Sequence, residues 1–92
     1  MDIQHQQIKG EGSFFIEKNG HQVANMAYTM LSPTVMSIYH TGVDDDLQGQ
    51  HIGESLVEAG VEYARKNHLK VKPACSFAQS VFDKGNFNDV LA

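Results

Sequence analysis

Residues 38–60 read Ile38-Tyr39-His40-Thr41-Gly42-Val43-Asp44-Asp45-Asp46-Leu47-Gln48-Gly49-Gln50-His51-Ile52-Gly53-Glu54-Ser55-Leu56-Val57-Glu58-Ala59-Gly60. A β-like run ends at Val43, a loop of acids and glycine follows, and a helical pattern begins between Gly49 and His51. Strand, tight loop and helix N-terminus make a common cradle for phosphate. The first turn of a helix leaves backbone N–H groups without partners, and the helix dipole favours negative charge there. Gly49 and Gly53 let a ligand approach the backbone where a Cβ would intrude. No Gly-Lys-Ser/Thr follows, and the spacing is not Gly-x-Gly-x-x-Gly, so neither familiar nucleotide loop is present. A plain turn accounts for two glycines at a helix start equally well, and Asp44, Asp45 and Asp46 read as solvated turn and helix-entry acids.

Working outward, Ile52, Leu56, Ala59, Gly60, Tyr63 and Ala64 recur at helical steps from Gly49 to Asn67, with Glu54, Glu58, Glu62, Arg65 and Lys66 on the outer face. Upstream, Val35 to Val43 carries apolar residues in both alternating sets, as an inner strand does. Before it, Asn19-Gly20 signals a two-residue hairpin. The regular register pairs Lys18 with His21, Ile16 with Val23 and Phe15 with Ala24. Phe15, Ala24, Met26, Tyr28 and Met30 would then share the core face. Residues 1–7 read as a flexible start. Downstream come a short strand, Leu69 to Ala74, with Pro73 at its end, and a second helix, Ser76 to Lys84, with Ser76 as N-cap and Gly85 as stop. Phe87, Val90 and Leu91 in the tail are available for docking. The order is βββαβα, an α+β (α/β) arrangement in which antiparallel N-terminal strands join a parallel pair around a central helix.

Ninety-two residues with 41% hydrophobic content allow one domain, residues 1–92. Seven basic and eleven acidic residues give a net charge of −4 and no basic patch, which argues against nucleic acid. No apolar stretch approaches membrane-spanning length, the N-terminus is not signal-like, and the five histidines show no metal-ligand spacing. These features point to a cytoplasmic protein without a membrane or metal partner. Cys75 precedes a helix, where a thiol pKa can fall and make a nucleophile, although lone cysteines are more often small buried hydrophobes. His40 at a strand end is a candidate general base or a structural residue. His5, His21 and His68 read as surface residues.

Taken together, His40-Thr41-x-Val43, Leu47-Gln48-Gly49-Gln50-His51-Ile52-Gly53, Leu56-Val57 and Lys70-Val71-x-Pro73-x-Cys75-x-Phe77 closely resemble the minimal, single-domain members of the GNAT acetyltransferase superfamily. Asn19-Gly20 and Ala24-x-x-x-Tyr28 extend the likeness upstream. The resemblance implies an acetyl-coenzyme A-dependent N-acetyltransferase acting on a primary amine of a small molecule or a protein. It implies that Gln48, Gly49, Gln50, His51, Ile52 and Gly53 hold the coenzyme A pyrophosphate. The pantetheine arm would lie between Thr41, Gly42 and Val43 on one strand and the Lys72-to-Cys75 strand end on the other, with Cys75 and Ser76 at the acetyl end. Cys75 would line the acetyl site as nucleophile or wall, and His40 could relay a proton. The family pattern places a glycine where this chain has His51, which implies weakened coenzyme binding. That departure, and the lack of the flanking elements of larger members, leaves a second reading: a coenzyme A-binding or interaction module with little turnover, as monomer or weak dimer.

Overall fold

The structure is a computed structural model that describes residues 2–92. Five strands form one sheet in sequential order: β1 (Gln4–Ile8), β2 (Glu11–Lys18), β3 (His21–Ser32), β4 (Val35–Val43) and β5 (Lys70–Pro73). β1 to β4 are antiparallel neighbours, and β5 returns parallel to β4 after helix α1 (Ile52–Lys66). Helix α2 (Ser76–Lys84) follows β5. The α+β class and the parallel pair stand as expected, with one more strand.

That strand is β1. The expected flexible start is instead paired with β2 from Gln4. Lys9 and Gly10 both have left-handed φ, 52° and 82°, as do Asn19 and Gly20, 56° and 75°. Both hairpins therefore close with turns whose twist matches that of the strands. Gln4–Ile8 is exposed along its whole length and carries no alternating apolar set, so hydrophobic periodicity cannot reveal it. His5 explains why the strand docks. Its ring stacks on Phe14 at 4.1 Å between centroids, meets Tyr63 edge-on at 4.5 Å, and its Nε2 lies 2.6 Å from the Tyr28 hydroxyl. The fully buried Tyr28 ring occupies the space where a Cβ would stand on Gly12.

The hairpin register differs from the regular one. A bulge between Ile16 and Glu17 pairs Ile16 with Ala24, Phe15 with Asn25 and Phe14 with Met26. Two residues on one strand then face one on the other, and the side chains beyond are re-aimed. Phe14 and Ile16, not Phe15, consequently join Ala24, Met26 and Tyr28, and Val23 also reaches the core. A second irregularity pairs Tyr28 with Ile38 but Ala27 with His40, leaving Tyr39 as the extra residue. The sheet core continues through Met36, Ile38 and Val71 into Leu56, Val57, Val61 and Ala64 of α1 and Ala78, Val81 and Phe82 of α2. Gly60 admits Met26 against the helix: a Cβ there would lie 2.8 Å from Met26 Cε.

The tail is docked as expected. Val90 is buried, Val71 donates to the Val90 carbonyl at 2.6 Å, and Ala92 donates to that of Val71 at 2.9 Å. Arg65 grips both carboxylate oxygens of Asp89, at 2.8 and 3.0 Å, and holds that carboxyl below its usual pKa range. Phe87 packs on Phe82.

Burial lowers the His5 pKa below its ordinary value. Between the folded and unfolded values the unfolded chain binds more protons, so stability is full above about pH 6.5 and is lost as pH falls through the folded value. Urea melts of wild type and His5→Phe over that interval should show an acid-side loss in wild type that the variant lacks. Equal slopes in the two proteins would contradict this origin.

Candidate active site

β4 outruns its parallel partner. The β4–β5 pairing ends at Ile38 opposite Pro73, and the next two amides, of Ala74 and Cys75, both donate to the Ile38 carbonyl, at 2.8 and 3.1 Å. Beyond that point the strands diverge, and Tyr39 to Val43 keep only β3 beside them. Asp44 donates its N–H to Val23 of β3 at 2.9 Å. Backbone direction alternates along a strand, so the N–H and C=O groups of Val43 and Thr41 point the other way, into the divergence.

Cys75 closes the inner end of this wedge. It is the N-cap of α2, its Sγ accepting from the Ala78 N–H at 3.4 Å, and the Thr41 Oγ1 lies 3.7 Å from the same sulfur. Cys75 thus holds the capping place expected of Ser76, which is the first helical residue and is exposed. Among the described residues no histidine or carboxylate hydrogen-bonds the thiol. His40 is not brought to it. Residue 40 projects from the face opposite Thr41, and its Nε2 lies 3.2 Å from where a Cβ would stand on Gly42.

At the outer end, Val43, Leu47, Gln48, Gly49, His51, Ile52, Gly53, Glu54 and Phe77 line a recess of about 200 Å³. Leu47, in a short 3-10 turn over Asp45–Leu47, is the buried anchor of the acidic loop. The first intrahelical bond of α1 runs from Ser55 N–H to the His51 carbonyl, so the amides of Ile52, Gly53 and Glu54 precede the helical ladder. Gly49 has φ +82°, and nothing lies within 4 Å of where a Cβ would stand on it, so its backbone is open to approach. Gly53 differs: a Cβ there would lie 2.7 Å from Phe77 Cζ, so its missing side chain admits the Phe77 ring and leaves no ligand space. Gln50 is exposed and outside the recess. The Gln48 amide donates to the Val43 carbonyl at 2.9 Å and occupies one of the wedge's backbone acceptors.

His51 sits at φ +60°, a left-handed conformation that glycine adopts without strain. Its Nδ1 meets Glu54 Oε1 at 2.9 Å in an exposed contact. No lysine or arginine lines the recess, and Glu54 is its one carboxylate. Glu54, Leu47 and Phe77 belong to this recess although the glycine pattern does not mark them. Leu47 could have been found as the lone apolar residue in an acidic loop, and Phe77 by its place two residues after Cys75. Among the described residues there is no cluster of three or more potential metal ligands and no helix long and apolar enough to cross a membrane.

An α+β sheet whose parallel pair divides beside a helix N-terminus is the architecture to set beside known proteins. Residues 13–90 match the family model for GCN5-related N-acetyl-transferase. A GCN5-like protein from Staphylococcus aureus, solved in solution by NMR, is 33% identical, with a TM-score of 0.71 and coverage of 97% of this chain and 87% of that one. An aminoglycoside acetyltransferase from an uncultured soil metagenomic sample, in complex with sisomicin, is 18% identical with a TM-score of 0.68 over 86% of this chain and 61% of its own. The ribosomal-protein-S18-alanine N-acetyltransferase of Escherichia coli is 18% identical with a TM-score of 0.67 over 85% and 53%. The latter two share the fold, and this chain spans only about half to three fifths of their length. No curated protein matches the sequence. The chain belongs to the GCN5-related N-acetyltransferase family, a family of acyl-transferring enzymes.

Gly53→Ala should destabilise the protein by about 1–3 kcal/mol, because the new methyl collides with Phe77. Phe77→Leu in the same chain should recover part of that loss. Denaturation of the two single variants and the double variant checks the coupling, and strictly additive losses would deny it.

Proposed function

We propose that this protein is an acetyl-coenzyme A-dependent N-acetyltransferase, acting as one domain over residues 1–92, that moves an acetyl group to a primary amine of a small molecule or protein. The observation that carries the reading is the divergence of β4 from β5, with outward backbone groups on Thr41 and Val43 leading from Cys75 to the α1 N-terminus. The open backbone at Gly49 is a cradle that a side chain would fill, and it fits a phosphate. The amides of Ile52, Gly53 and Glu54 would hold the pyrophosphate through the helix dipole, with Gln48, Gln50 and His51 around it. Thr41 and Val43 would bind the amides of the pantetheine arm as a neighbouring strand would, once the Gln48 side chain leaves the Val43 carbonyl.

Bound acetyl-coenzyme A supplies an acyl thioester open to attack by a neutral amine. The chain's part is to hold the acceptor and donor together in the wedge and to keep water from it. Cys75 serves as the wall of the acetyl site. Its sulfur is engaged as a helix cap, and no base stands beside it among the described residues to activate it. The exposed His40 faces away from Cys75 and would act on a proton only through the acceptor or water. A lone thiol suits a reducing, cytoplasmic setting. With no lysine or arginine in the recess, coenzyme binding rests on backbone dipoles, and Glu54 opposes it.

Isothermal titration with coenzyme A tests the first half of this reading, and the absence of binding at about 1 mM ligand would reject it. His51→Gly should tighten binding about two- to tenfold, by relieving the left-handed strain and opening the cradle. Acetyl transfer to a panel of amines tests the second half. Cys75→Ser should retain transfer to within about threefold, since its hydroxyl can replace the sulfur as a cap. Loss of turnover in that variant, together with an acetylated thiol in the wild type, would establish a covalent route instead. Binding without transfer to any amine would favour the coenzyme-binding module.

A further inference from the structure

The two edges of the sheet are treated differently. At β5 the C-terminal segment pairs with Val71 on both sides of its peptide, while Lys70, Lys72 and Pro73 discourage any further strand. At β1 nothing of the kind is present among the described residues. Gln4–Ile8 contains no proline, lysine, arginine or carboxylate, has no bulge in its pairing with β2, and is exposed throughout. It is nonetheless held firmly in strand form by the stacking of His5 on Phe14 and the His5–Tyr28 hydrogen bond. An edge that is ordered, neutral and uncovered is a template for strand addition.

The hairpin fixes which groups the edge offers. The two-residue turn at Lys9-Gly10 makes Ile8 and Glu11 a mutually hydrogen-bonded pair, and alternation makes Gln6–Ser13 and Gln4–Phe15 likewise. The N–H and C=O groups of His5 and Gln7 therefore point outward. We propose that β1 pairs antiparallel with β1 of a second copy of this chain about a two-fold axis through Gln6, extending one continuous sheet across two molecules. In this register His5 of each copy faces Gln7 of the other, and both are the residues whose backbone groups point outward, so about four hydrogen bonds form with none left over. Gln6 meets Gln6, and Gln4 meets Ile8, whose side chain is 59% exposed in the single chain.

Charge favours the same arrangement. Asp2 flanks one end of the strand and Lys9 the other, both exposed, and antiparallel pairing brings the Asp2 end of each copy to the Lys9 end of its partner. Parallel pairing would set like against like. The axis stands perpendicular to the sheet, so α1 and α2 of both copies lie on the same side and the β4–β5 wedges remain at the two far ends. A contact confined to one short strand buries less than a stable interface needs, and the dissociation constant should be about 0.1–1 mM.

The two-fold axis supplies the test. Gln6→Glu and Gln6→Lys change an exposed side chain on an outer strand, and in the dimer each places like charges directly opposite. Sedimentation equilibrium of the full chain at concentrations up to about 1 mM should show a reversible dimer in wild type. Each variant alone should dimerise at least about threefold more weakly, and an equimolar mixture of the two should regain or exceed wild-type association. Gln7→Pro removes an outward N–H that β2 does not use, and it should abolish the dimer while circular dichroism and melting stay near wild type. A wild type that stays monomeric at about 1 mM would overturn the proposal. So would a dimer indifferent to Gln6 and Gln7, or a mixture no stronger than its components.

Discussion

The structure depends on a single carbonyl. Ile38 of β4 accepts two N–H groups in succession, from Ala74 and Cys75, immediately after Pro73 has brought an amide with no hydrogen to give. A parallel ladder needs donors and acceptors that advance evenly along both strands. Two donors converging on one acceptor halt that advance and curl the chain out of the sheet. The curl carries Cys75 to the start of α2 and frees the last residues of β4 from their neighbour. The bulge at Tyr39 on the other side of β4 belongs to the same event, because it re-aims Thr41 and Val43 as the strand loses β5.

Around that point, missing side chains decide what can approach what. Gly12 makes room for Tyr28, Gly60 for Met26 and Gly53 for Phe77, so one glycine on β2 and two on α1 each accept a large neighbour. Of the two glycines lining the recess, Gly49 and Gly53, Gly49 alone keeps its space open. The recess at the start of α1 is therefore narrower than its glycines suggest, with Phe77 as one wall and the His51–Glu54 contact as a rim. An acidic rim would be a poor electrostatic match for the phosphate proposed to bind there. It leaves the oriented amides of the first helical turn as the main attraction.

Much of this was legible from residue types, and the exceptions have local causes. Asn19-Gly20 located the central hairpin, Pro73 marked a strand end, and α2 spans the residues its pattern marked, because each signal is a backbone preference acting over a few positions. The bulge beside Glu17 escaped, since an extra residue leaves composition unchanged while exchanging which side chains share a face. β1 escaped because Gln4–Ile8 buries no apolar stripe and is held by one histidine ring. Cys75, not Ser76, became the cap because the converging amides turn the chain one residue earlier. The helix end at His68 shows the same limit: the histidine takes φ +58°, and Leu69 and His68 donate back to Ala64 and Arg65, a closing motif that usually announces itself with glycine. The wedge itself was visible only through the likeness of its motifs to a family, since no periodicity encodes a divergence.

The order of strands also sets how far apart in the chain the paired residues lie. Four consecutive strands pair with their nearest neighbours in the chain, joined by three two-residue turns, so little loop entropy stands in the way of each pairing. The β4–β5 pair instead waits for the loop and the whole of α1 to be traversed. Its closure joins the two paired strands farthest apart in the chain, and it brings Cys75 to Thr41. The wedge therefore lies at the strand pair whose partners are farthest apart in the chain, where the loop entropy to be overcome is greatest.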